Sequence, residues 1–109
     1  MATRLRFLHV AGAAALLTAC APGLAVPADA DVTRGRPAHP DLTLDELNQG
    51  RSKYVAKCAG CHHLYSPAAL EPESWRGMVA EMRDRSNLTD AEEQAILTYL
   101  TVMSTRPQG

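Results

Sequence analysis

Cys58, Cys61 and His62 stand in the run Lys57-Cys-Ala-Gly-Cys-His-His63. Two thiols three residues apart, with an imidazole directly after the second, form the attachment pattern for a c-type haem. The thiols add across the porphyrin vinyl groups to give thioethers, and His62 lies over the iron as its proximal ligand. Ala59 and Gly60 are small enough for the bridge to lie against the macrocycle. A lone Cys-x-x-Cys also occurs as a redox disulfide or as half of a zinc site. Adjacent His62 and His63 are poorly spaced to share one tetrahedral ion, and no second Cys-x-x-Cys is present. A thioredoxin-like role would need a βαβ frame, for which the chain is too short and too helical.

Three helical segments must position these groups. Thr43 and Glu46 fit a capping box, after which Leu44, Leu47, Tyr54, Val55 and Cys58 fall near one helical face. Gly50 inside this helix costs stability relative to alanine, which a close helix crossing would explain. Arg51, Lys53 and Lys57 lie toward the haem-binding end, either as a solvated face or as a guide for docking. A middle helix is expected from Pro72 or Ser74 to about Arg83, with Trp75, Met78, Val79 and Met82 on one stripe. Thr89 and Glu92 form a second capping box. Ile96, Tyr99, Leu100 and Met103 follow at i, i+3, i+4 and i+7, and the helix stops before Pro107. The fold class is therefore all-α.

Gly50-x-x-x-Tyr54 and Ile96-x-x-Tyr99 resemble the crossing pair of first and last helices in class I cytochromes c. The resemblance runs from about Leu42 to Ser104 in element order. It implies a three-helix domain over residues 42–105, wrapped around one covalently attached haem c. It also implies a methionine as distal iron ligand, because a thioether favours reduced iron. Trp75-x-x-Met78-Val79-x-x-Met82 is similar to small members whose methionine closes the helix after a tryptophan, so Met82 is the candidate. Met78, one turn earlier, is an alternative, as is an open or histidine-filled position. Methionines at this spacing are also common core filler, the role expected of Met103. In relatives a proline carbonyl accepts from the proximal imidazole, and Pro67 is placed for that role or for a plain turn. Trp75 and Tyr65 are either propionate partners or core, while His39 and His63 read as solvated.

The chain has 109 residues, a formal charge of −1 and a pI near 6.4, so it holds one domain and shows no nucleic-acid signature. Residues 1–19 read as a secretory signal, with Arg4 and Arg6 ahead of an apolar stretch from Phe7 to Leu17. Without them nine basic residues face twelve acidic ones, a formal −3. Leu17-Thr18-Ala19-Cys20 resembles the bacterial lipobox, which implies acylation of Cys20 and a membrane anchor. The alternative is ordinary cleavage after Ala25 or Ala30 to leave a soluble periplasmic protein. Residues 20–41, rich in Ala and Pro, read as a flexible linker. Together these features point to an exported carrier of single electrons between periplasmic or membrane redox partners, not an enzyme, with no small-molecule substrate. A haem-bearing subunit dedicated to one periplasmic dehydrogenase is a second reading, and a five-coordinate haem sensor a third.

Overall fold

The computed structural model describes residues 24–60 and 63–108, which form helices α1 (Asp29–Gly35), α2 (Leu44–Cys58), α3 (Pro72–Met82) and α4 (Asp90–Ser104). A short 3-10 helix, Pro67–Ala69, sits between α2 and α3. No strand occurs among the described residues.

Local chemistry fixes where the long helices begin. The Thr43 hydroxyl accepts from the Glu46 amide at 3.2 Å, while the Glu46 carboxylate accepts from the Thr43 amide at 2.8 Å. Thr89 and Glu92 repeat the arrangement at the start of α4 at 3.2 and 3.0 Å. Each pair satisfies two backbone donors that the helix itself cannot. Pro72 opens α3 at the one place where a missing amide hydrogen costs nothing. Past Met82 the chain makes a turn in which Asn87 takes a positive φ of 50°. Asparagine tolerates that left-handed conformation better than most residues.

α2 and α4 make the largest interhelix contact, and Gly50 is the reason they come so close. A Cβ at that position would lie 2.2 Å from the Ala95 carbonyl oxygen and 2.7 Å from the Tyr99 Cβ. Around the crossing Tyr54, Trp75, Val79, Leu88, Ile96, Tyr99, Leu100 and Met103 form the main core. Burial of each large apolar side chain contributes about 1.5–3 kcal/mol. Val32, Leu42, Leu47 and Val102 form a second, smaller cluster.

That second cluster corrects the expected linker. Residues 24–41 are folded against the domain, and α1 adds a fourth α-helix to the three expected. Val32 is buried against α4, and Leu24 and Ala25 pack on the main core. The Ala25 carbonyl accepts from the Tyr99 hydroxyl at 2.8 Å. Asp31 is 2% exposed and faces two arginines. Arg34 Nη2 donates to its Oδ1 at 2.6 Å, and Arg106 from the chain's end donates Nε at 3.0 Å and also pairs through Nη2. The Ala28 amide adds a fourth donor at 2.8 Å. The Arg106 hydrogen bond leads in holding the Asp31 carboxyl far below the usual carboxylate range, against the opposing effect of its burial. Composition suggested disorder; long-range pairing and apolar burial outweigh it.

Candidate functional site

α2 ends on Cys58, so the first thiol is delivered at the end of a capped, core-anchored helix. Cys61 and His62 lie outside the described residues, as do Cys20 and the expected signal segment. Beside Cys58 is a cavity of about 320 Å³ lined by α2, the segment after His63, α3 and α4. Tyr54, Trp75, Val79, Leu88 and Ile96 supply much of its wall, and Met78 and Met82 both line it. The structure thus gathers Cys58 and both candidate methionines around one mainly apolar space. Met103, by contrast, is buried in the core as expected.

Such a lining suits a flat, largely apolar macrocycle. Cys58 brings a thiol to one wall, at the end of α2, and Met78 and Met82 bring soft thioether sulfurs to another, from α3. The two methionines differ in surroundings. Met78 packs on the main core cluster, whereas Met82, the last residue of α3, lines the cavity without belonging to that cluster.

The polar groups behind the cavity are already engaged. Trp75, 1% exposed, donates its indole N–H to the Pro67 carbonyl at 2.8 Å. One residue thereby ties α3 to the loop that follows the haem motif, and this bond, not a propionate, satisfies the Trp75 indole. Tyr54 donates to the Tyr65 carbonyl at 2.9 Å and meets Trp75 edge-on at 6.1 Å between centroids. Burial, assisted by the nearby Cys58, pushes the Tyr54 hydroxyl up to about 12. Tyr65 lines the cavity and is 50% exposed. His63 is exposed and His39 partly so.

The basic cluster divides on folding. Arg51 turns inward and donates to the Leu24 carbonyl at 3.3 Å. Lys53 and Lys57 approach Glu92 at 3.5 and 3.6 Å, and with the backbone donor at Thr89 they lower the Glu92 carboxyl. A further tie was not foreseen from sequence. Arg83, just past α3, pairs with both Asp90 and Glu93 of α4. The acidic first turn of α4 was visible, but a partner seven to ten residues back has no periodic signature.

Residues 54–109, just over half of the chain, match the family model described as dihaem cytochrome c. No curated protein matches. No solved structure matches.

Proposed function

Because this chain belongs to the dihaem cytochrome c family, we propose that it carries single electrons on one haem, held by Cys58 and Cys61 with His62 as proximal and Met82 as distal iron ligand. The family makes it a c-type cytochrome, an electron carrier with haem c. A single haem is proposed because the sequence contains one Cys-x-x-Cys-His. The observation that carries the reading is the shared cavity, where Cys58, Met78 and Met82 line one apolar space.

When bound, the haem supplies a metal centre that gains and loses one electron. The chain supplies its surroundings. Trp75, Val79, Leu88 and Ile96 exclude water from the cavity and keep its dielectric low. Tyr54 stays protonated across the physiological range and holds the Tyr65 carbonyl, fixing the loop after the haem motif. Trp75 fixes the same loop through Pro67. Met82 is preferred over Met78 because its place at the end of α3, outside the core cluster, leaves the sulfur less committed to packing. His62 and Met82 would together hold the iron, and the haem would then supply one-electron transfer without binding a substrate. We further propose that its redox partners lie outside the cytoplasm and that Cys20 carries a lipid anchor, a reading supported by the signal-like residues 1–19 and the lipobox-like run Leu17-Thr18-Ala19-Cys20.

Expression with haem-maturation machinery tests the whole reading. The purified protein is expected to retain its pigment on a denaturing gel. The oxidised form is expected to show the far-red methionine-to-iron charge-transfer band. A colourless product would sink the proposal. The anchor is tested separately, since Cys20→Ser should move the protein from the membrane fraction to the soluble periplasm.

A further inference from the structure

Among the described residues, Arg85 at the rim of the haem cavity has no carboxylate partner. Arg85 and Ser86 line that cavity from the turn after α3. The neighbouring cations are matched: Arg76 with Glu73, Arg83 with Asp90 and Glu93, and Lys57 with Glu92. Among the described residues no carboxylate lies within ion-pair distance of Arg85. The helix dipole does not account for it, because α3 ends at Met82 and the dipole's influence fades within the last turn. An unmatched guanidinium at the edge of a mainly apolar cavity fits an occupant that brings its own anion.

We propose that Arg85 binds a propionate carboxylate of the haem, with the Ser86 hydroxyl as a second donor. The proposal rests on the reading that haem occupies this cavity. A guanidinium presents two parallel N–H donors that match a carboxylate, and the charge-assisted pair is stronger than a neutral hydrogen bond. The other ionisable groups on the cavity wall are Tyr54, Lys57, Cys58 and Tyr65. Tyr54 is bonded to a carbonyl, Lys57 approaches Glu92, Cys58 becomes a thioether, and Tyr65 offers a hydroxyl donor but no positive charge. Arg85 therefore holds the propionate ionised to lower pH than water would, and its positive charge favours reduced iron.

The test is a spectroelectrochemical titration of the holoprotein from acid to alkaline pH, for wild type, Arg85→Gln, Arg85→Lys and the control Arg76→Gln. In Arg85→Gln the propionate pKa is expected to rise by about one pH unit, with a lower midpoint potential on the alkaline side. Arg85→Lys should recover part of both shifts, and Arg76→Gln should follow wild type. An Arg85→Gln curve that superimposes on wild type overturns the proposal, as does a lysine variant indistinguishable from glutamine. If Arg85→Gln fails to mature, Arg85→Lys decides. A partial rise supports the pairing, and an unchanged curve overturns it. Haem content, measured as the pyridine haemochrome, separates the two levels of inference. Wild type without haem removes the underlying reading, whereas bound haem with an unmoved propionate removes Arg85 alone.

Discussion

Met78 and Met82 are one helical turn apart and both reach the cavity, so choosing between them is a matter of single side chains. Met82→Ala is expected to abolish the charge-transfer band, and Met78→Ala to keep it while losing about 2–3 kcal/mol of stability through the space left in the core. Absorption spectra and denaturant unfolding of the two variants check this. A band lost in Met78→Ala instead would exchange the roles and leave the fold intact. Asp31 is the second residue on which much depends. Its folded-state pKa is depressed, so the stability it contributes is complete above the ordinary carboxylate range. That contribution is lost as pH falls through that range toward the folded value. Asp31→Asn is expected to cost about 3 kcal/mol at neutral pH, since it leaves Arg34 and Arg106 partly buried without their anion. The mutant's stability should also fall less steeply with acid, as thermal unfolding against pH would show.

At the scale of elements, the α2–α4 crossing sets where Cys58 is delivered. Gly50→Ala would gain up to about 1 kcal/mol of helix propensity. It would also place a methyl group 2.2 Å from the Ala95 carbonyl, a backbone atom that cannot move aside cheaply. The clash is expected to win, with a net loss of about 1–3 kcal/mol in urea unfolding. If the variant were more stable than wild type, the tight crossing would be refuted. α3 is held near both ends by polar ties as well as by its apolar stripe. Trp75 bonds the Pro67 carbonyl, and Arg83 reaches Asp90 and Glu93. These ties hold the methionine-bearing helix against the Pro67 loop and against α4.

At the scale of the whole molecule, residues 24–41 are part of the domain. Leu24 and Ala25 pack on the main core, Val32 is buried with Leu42, Leu47 and Val102, and Asp31 grips Arg106 beyond the far end of α4. The family match begins at residue 54, so this segment lies outside the matched region. Removing residues 20–36 is expected to lower the melting temperature of the holoprotein and leave its haem spectrum unchanged. None of the deleted residues lines the cavity, whose lining residues all come from residue 54 onward. A tether that merely links domain to anchor would leave the melting temperature where it was.

The sequence alone determined the caps at Thr43 and Thr89 and the entry of Pro72 into α3, and it displays the Cys58-x-x-Cys61-His62 run. Each is a local pattern, written within five residues. Tertiary structure decided the rest. Residues 24–41 looked structureless because alanine and proline carry little periodic signal, and Val32 and Asp31 find Val102 and Arg106 to bury against only once the chain has folded. The turn holding Arg85 likewise has no signature of its own. Its place at the cavity follows from how α3 is pinned to α4. Contacts between residues distant in the chain depend on which surfaces meet, and local sequence patterns do not encode that meeting.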